Sequence, residues 1–345
     1  MSTGILNFHT SFWVTKKPLH VLLNLDLLIP ILFCILLRFQ NHTNQIFIWL
    51  YTLKPSRLNN TKYADLEVLF FNRAAKVGSE ALMELLQHMA DDNEMTVLTQ
   101  GPLDLSSRTR TPEQQQIQAN WIADLEPGTV YIEHCNWLNF TRLHAPKPIM
   151  INMVRDPVER LISWYFYVRS AYKNAIYYSK HPNAPIQSEA WFKKDFNKCV
   201  RSGDPECQYV PNSIIDPVGN HKRQSLFFCG HDEVCLPFDS PKAIQIAKRN
   251  VELDYAVVGS WEDTNITLTV FEHYIPRFFK GAKATFERHN KDVTNRNRNN
   301  RKPKIDKDVK DLIRQNLTNE YDFYHFCKQR LYKQYLALKL DSGLN

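Results

Sequence analysis

The stretch Val68-Leu69-Phe70-Phe71-Asn72-Arg73-Ala74-Ala75-Lys76-Val77-Gly78-Ser79-Glu80-Ala81-Leu82 decides the fold. Its start belongs to a bounded apolar run, Leu66 to Phe71, that lacks the alternation of a half-exposed strand and so reads as a strand buried on both faces. Its end opens a helix, because Leu82, Leu85, Leu86 and Met89 recur at the spacing of one helical face. Between the two lies a loop whose backbone N–H groups, with the helix N-terminus, would face an anion. Gly78 lets the main chain come close to such a ligand, and Lys76 supplies a mobile positive charge beside it. Taken alone, the loop also fits an ordinary βα turn with a solvated lysine. It is not the triphosphate loop GxxxxGK[ST]. The lysine precedes the only glycine, which removes most of the case for an ATPase or kinase.

The same grammar recurs along the chain. Thr129 to Ile132, Ile149 to Val154 and Tyr255 to Gly259 are bounded apolar runs, and helical patterns follow Asp156 and Asp263. Strand, loop and helix repeated this way predict an α/β fold: a parallel sheet flanked by helices, with ligands at the carboxyl ends of its strands. In Arg155-Asp156-Pro157-Val158-Glu159-Arg160-Leu161-Ile162-Ser163, Asp156 is placed to cap a helix, Pro157 suits its first turn, and Glu159 completes a capping-box pattern. Arg155 then ends a strand and Ser163 lies about two turns into the helix, so the two can converge on one phosphate. Alone, Arg155 could as well pair with a neighbouring carboxylate. From Lys304 onward two amphipathic helices are predicted, ending in an aromatic and basic stretch from Tyr321 to Tyr335.

With 43% hydrophobic and 23% charged residues, the 345-residue chain is an ordinary globular protein, not a disordered tail, a collagen or a coiled coil. Lys and Arg outnumber Asp and Glu by 43 to 36, a net +7 that favours an anionic ligand. Part of the surplus sits between Arg288 and Lys304, a basic block suited to a polyanion or to a nucleotide's phosphates, or else a solvated loop. The run Leu19 to Leu37, interrupted by His20, Asn24, Asp26 and Pro30 and preceded by Lys16 and Lys17, predicts a type II signal anchor; a cleaved signal peptide or a buried helix is the alternative. The expected organisation is a cytoplasmic tail over 1–18, the anchor over 19–37, a luminal stem over 38–62 and a luminal domain over 63–345. Five N-x-S/T sequons, at Asn41, Asn59, Asn139, Asn265 and Asn316, suit that address. So do two close cysteine pairs, Cys199 with Cys207 and Cys229 with Cys235, read as local disulfides; a four-sulfur metal site is the rival, at spacings wider than zinc knuckles use. Cys135 and Cys327 are left as buried thiols.

A strand ending in a lysine-bearing loop, followed after a later strand by R-D-P-x-x-R-x-x-S, resembles the 5′- and 3′-phosphosulfate segments of Golgi sulfotransferases. These use 3′-phosphoadenosine 5′-phosphosulfate (PAPS). The blocks Val68 to Leu82, YIEHCNWLNF, INMVRDPVERLISWY, FFCGH(x)3C and PRFFKGA, in that order over roughly 66–330, resemble the uronyl and heparan sulfate 2-O-sulfotransferases, especially their invertebrate Pipe branch. The resemblance implies a P-loop-like, PAPS-dependent sulfotransferase fold in which Lys76 meets the bridging oxygen and the 5′-phosphosulfate. Val77, Gly78, Ser79 and Glu80 would add loop amides, and Arg155 and Ser163 would hold the 3′-phosphate. It implies His134 as catalytic base, Arg73 near the acceptor and the sulfuryl group, and Phe286, Thr294, Arg296, Arg298 and Arg301 in a loop closing over the nucleotide. Glu84 and Gln87 on the first helix, with Lys173 and Lys180, correspond to the acceptor side. The family's pattern also implies a homotrimer. The chain departs from the heparan sulfate enzymes at Ile132, where they carry a second histidine, and at Glu84, a carboxylate that an acidic uronate would not favour.

Read as chemistry, a neutral imidazole with a pKa near ~6.5 can take a proton from a sugar hydroxyl. Sulfuryl transfer then asks mainly for alignment and for positive charge near the leaving group, which Lys76 and Arg155 supply, with no metal expected. The expected acceptor is an anionic glycan or glycoprotein at a Golgi membrane, not a nucleic acid. A silent, membrane-anchored glycan-binding protein on the same fold is the alternative.

Overall fold

In a computed structural model of the chain, residues 53–103, 109–214, 223–295 and 303–341 are described. The expected tail, the anchor, Asn41 and Arg296, Arg298 and Arg301 lie outside them, and no helix among the described residues is long and apolar enough to cross a membrane.

Five parallel strands form one sheet: β1 (Val68–Asn72), β2 (Thr96–Leu98), β3 (Thr129–Glu133), β4 (Ile149–Val154) and β5 (Tyr255–Ser260), in the order β2-β3-β1-β4-β5. The apolar runs become the buried strands because each must bury both faces; β5, though it ends the sheet, is covered by the C-terminal helix. Every residue of β1 and of β5 is buried. Register follows from this, with Val68 opposite Thr129 and Leu69 opposite Ile149. β2 is the strand that the sequence did not announce: it has three residues at the sheet edge, none of them fully buried, so no apolar run is needed.

The helices that matter for the site are α1 (Ser79–His88), α2 (Pro112–Ala123), α3 (Pro157–Val168), α4 (Ala171–Lys180), α5 (Phe196–Arg201), α6 (Pro241–Asp254), α7 (Thr264–Tyr274), α8 (Ala282–Asn295), α9 (Lys307–Gln315) and α10 (Thr318–Asp341). α1 buries Leu82, Leu85 and Leu86, the face its spacing predicted. α8 packs against α1, and α10 packs on α6, α7 and β5. Asp156 caps α3 by accepting from the Glu159 N–H at 2.9 Å, as expected. The return half of the predicted capping box goes elsewhere: the Asp156 N–H donates to Glu262 Oε1 at 2.9 Å, and the Glu159 carboxylate pairs with Lys310 at 2.6 Å.

A main core surrounds the sheet, and a smaller one gathers Leu161, Ile162 and Tyr165 of α3 with Phe196, Val309 and Ile313. Each contains one disulfide. Cys199–Cys207 closes beside the small core and Cys229–Cys235 beside the main one, which removes the four-sulfur metal site; Cys135 and Cys327 are buried free thiols.

Candidate functional site

β1 and β4 are neighbours whose chains leave in opposite directions, one toward β2 and the other toward β5, so their carboxyl ends flank a topological switch point. Two loops issue there, 73–78 and 155–156. In the first, Lys76 (φ 64°) and Gly78 (φ 90°) adopt left-handed backbone, and α1 starts on Gly78 without a side-chain cap. The first-turn amides of α1 therefore have no partner within the helix and are suited to an anion.

The loop is shaped before any ligand arrives. Asn152 Oδ1 accepts from the Ala74 N–H at 3.2 Å, Arg160 Nε donates to the Ala75 carbonyl at 2.9 Å, Arg155 Nη1 donates to the Lys76 carbonyl at 3.3 Å, and Trp261 Nε1 donates to the Gly78 carbonyl at 2.5 Å. Glycine at 78 is required twice over. Its φ lies where side chains are strained, and an added Cβ would stand 1.8 Å from Trp261 Cδ1. Phe286 stacks on that indole, with ring centroids 5.6 Å apart.

Lys76 is a half-buried cation. Its Nζ lies 4.0 Å from the centre of the Tyr167 ring. Burial pushes its pKa down to about 8; Glu80 opposes the shift, while Arg155 and Arg73 add to it. An anion bound here would relieve both the desolvation and the repulsion.

The candidate base is hydrogen-bonded to the same loop. His134 follows β3, and its Nδ1 is 2.8 Å from the Arg73 carbonyl oxygen. A carbonyl only accepts, so Nδ1 carries the proton and the lone pair of the neutral ring is on Nε2. Arg73's own guanidinium pairs with Glu80 at 2.6 Å, so its charge is shared within the loop. Beside the base, the Glu133 carboxylate accepts from buried Arg110 at 2.5 Å, from Gln118 at 2.5 Å and from the Tyr131 hydroxyl.

Lys76, Val77, Gly78, Ser79, Glu80, Arg73, His134 and Arg155 are thus gathered at one end of the sheet, and Phe286 reaches the loop through Trp261. Ser163 lies half-buried two turns along α3. Lys173 comes close through Tyr167, 5.9 Å from the ring that also carries Lys76. Lys180 is exposed at the end of α4, and Gln87 is exposed on α1. Glu84 points toward His88, 3.6 Å away on the same helix. Thr294 lies in the last turn of α8. Of the sequons, Asn59 is tied by its side chain to Thr61 and to the Tyr274 carbonyl, Asn139 is half-buried, and Asn265 and Asn316 are exposed. A cavity of about 210 Å³ lined by Trp137, Phe140, Lys147, Arg249 and Asp254 contains none of the gathered residues.

Several contributors carry no sequence signature. Gln224 braces Arg155 through both of its backbone polar groups, at 3.1 and 2.8 Å. Asn72, Asn152 and Tyr255 form a fully buried network in which Asn152 Nδ2 donates to the Asn72 carbonyl at 2.7 Å and the Tyr255 hydroxyl donates to Asn72 Oδ1 at 2.9 Å. The only signal for the asparagines was a polar residue at the end of one apolar run, Asn72, and inside another, Asn152. Arg160 stood in the quoted motif and had no assigned task.

A parallel sheet with an anion-binding βα loop, a second cation from the next strand and a histidine held on that loop together describe a group-transfer fold for a phosphorylated or sulfated nucleotide. The family model described as the sulfotransferase family matches residues 59–327, and the chain belongs to that family. Among its relatives, the Drosophila melanogaster protein named uronyl 2-sulfotransferase homolog pip is 45% identical over 84% of this chain and 57% of its own length. The human uronyl 2-sulfotransferase is 27% identical over 79% of this chain and 64% of its own, and the Drosophila heparin sulfate O-sulfotransferase is 30% identical over 65% and 60%. The chain thus spans about three fifths of the length of these curated relatives.

Proposed function

We propose that this protein transfers a sulfuryl group from PAPS to a hydroxyl of an anionic glycan, the 2-O position of a uronic acid in a glycosaminoglycan or a related glycoprotein glycan. The observation that carries the reading is the hydrogen bond from His134 Nδ1 to the Arg73 carbonyl, because it mounts a base with its proton-accepting nitrogen fixed on the loop that receives the donor. PAPS fits that loop by chemistry: the uncapped start of α1 and the Lys76 ammonium suit the 5′-phosphosulfate, and Arg155 suits the 3′-phosphate. When bound, PAPS supplies an activated sulfuryl group. His134 Nε2 takes the proton of the acceptor hydroxyl as that oxygen bonds to sulfur. The bond from sulfur to the bridging phosphate oxygen breaks, and Lys76 offsets the charge left on that oxygen.

The relatives named as uronyl and heparan sulfate enzymes support the uronic acid acceptor. The two disulfides and the exposed sequons at Asn265 and Asn316 support an oxidising, luminal address, and the Leu19 to Leu37 run supports a type II Golgi anchor. The test incubates the full-length chain, purified in detergent, with radiolabelled PAPS and a panel of heparan, dermatan and chondroitin sulfates, followed by disaccharide analysis. Label on the 2-O position of a uronic acid is the expected result. Nucleotide binding without labelled product on any glycan would overturn the reading in favour of a silent binder.

A further inference from the structure

Away from the loop, toward the other end of α1, two helices bring three metal-ligating side chains together, with Glu84 beside one of them. On α1, Glu84 and His88 are four residues apart; on α8, His289 and Asp292 are three apart, and each spacing puts its pair on one helical face. The imidazoles of His88 and His289 lie 4.0 Å apart between centroids, with their planes 12° from parallel. Ligand atoms of His88, His289 and Asp292 all fall within 4.8 Å of one another, and Glu84 Oε1 is 3.6 Å from His88 Nε2. α8 departs from helical backbone at His289 itself (φ −110°, ψ 15°).

Two details point to a ligand. His88 Nε2 is buried and makes no hydrogen bond among the described residues, since 3.6 Å to Glu84 is beyond hydrogen-bond reach. The donor set, two imidazole nitrogens with carboxylate oxygens and no thiolate, is one that borderline divalent ions accept in four-coordinate geometry. We propose that His88, His289 and Asp292, with Glu84 as the fourth ligand, bind a zinc ion that pins α8 to α1. Bonds of ~2.0–2.1 Å place tetrahedral donors about 3.3 Å apart, so the side chains must draw in from their present separations and the rings must fan apart from their stack. Asp292 is 69% exposed, which gives the ion a way in. The consequence reaches the donor loop: α8 also carries Phe286, which stacks on Trp261, and Trp261 holds Gly78. An ion clamping α8 would brace that loop from behind. This inference does not rest on the proposed activity.

The experiment strips the detergent-purified full-length chain with a chelator and offers zinc alone, then cobalt(II) alone. The wild type should retain one more equivalent of zinc than the H88Q/H289Q double variant, and its cobalt form should show the intense visible bands of a four-coordinate site that the double variant lacks. Asp292→Asn, at an exposed position, should keep the fold and weaken zinc by at least about tenfold, the scale on which even outer partners of a metal act. Saturating zinc should raise the thermal midpoint of the wild type and leave that of the double variant unmoved. Equal zinc retention by the wild type and Asp292→Asn, or a folded wild type that retains no zinc, would overturn the site.

Discussion

The donor end and the acceptor end of the site are built differently. At the donor end the groups aimed at a ligand are main-chain amides and two cations, and the loop that presents them is tied back by Asn152, Arg155, Arg160 and Trp261. At the proposed acceptor end the candidates are side chains on helix surfaces, and Gln87 and Lys180 are exposed. A main-chain cradle constrains many residues at once, since moving any brace moves the loop. A side chain on an exposed helix face can change without disturbing its neighbours. The cradle should therefore tolerate fewer substitutions than the exposed helix faces do.

His134, hydrogen-bonded to the donor loop, gives the sharpest break. Replacing it with alanine removes the base and leaves the Arg73 carbonyl to water, so transfer should fall by roughly 10²–10⁴ while PAPS affinity stays unchanged. Isothermal titration with 3′-phosphoadenosine 5′-phosphate, run beside a transfer assay, separates the two quantities. A joint loss of binding and transfer would show that His134 shapes the loop and does not act as the base.

Gly78→Ala attacks the donor end alone. The substitution forces a side chain into left-handed backbone, which costs about 1–2 kcal/mol, and drives a methyl into the Trp261 ring. Nucleotide affinity should drop by at least about tenfold, on that same free-energy scale, and the thermal midpoint should fall. Unchanged affinity would mean that the loop conformation is not the one that binds.

Lys76 makes the donor end sensitive to pH, with a definite sign. Its pKa is lowered from the ordinary lysine range to about 8, so below pH 8 the free protein already carries the charge that an anion needs. Above pH 8 the ammonium loses its proton, and binding must take one up. Nucleotide affinity should therefore fall above pH 8, by up to about tenfold per pH unit, and Lys76→Arg should flatten that fall because a guanidinium does not titrate there. The same group opposes folding most at low pH: a cation whose folded pKa lies below its unfolded value destabilises the protein until pH rises past both. An affinity that stays flat from pH 7 to 9.5 would contradict the burial of Lys76.

What the sequence disclosed follows the same division. The four strands with apolar runs were legible because burial on both faces disfavours polar residues unless, like Asn72 and Asn152, they are hydrogen-bonded, whereas β2, short and only half-buried, obeys no such constraint. Lys76, Gly78 and Arg155 were legible because a βα loop at the end of a buried strand has few chemical purposes. Gln224 and Trp261 were not, since each acts from an element 69 to 183 residues away along the chain, and only the folded topology brings them to the loop. Glu84 shows the limit of carrying a role over by position: expected on the acceptor side, its carboxylate lies beside His88.

The smallest predicted effects distinguish the two basic residues of α4. Lys173 shares the Tyr167 ring with Lys76, so Lys173→Ala removes a neighbouring positive field and should alter nucleotide affinity slightly, in a way that salt suppresses. Lys180 is exposed at the far end of the helix, and Lys180→Ala should leave nucleotide affinity within about twofold, the range of a surface substitution. If Lys180 meets a glycan, its loss should appear only as a higher KM for the acceptor, again weakened by salt, with kcat unchanged. An effect of Lys180→Ala on nucleotide affinity as large as that of Lys173→Ala would mean that the donor end extends along α4, and the line drawn between the two ends would have to move.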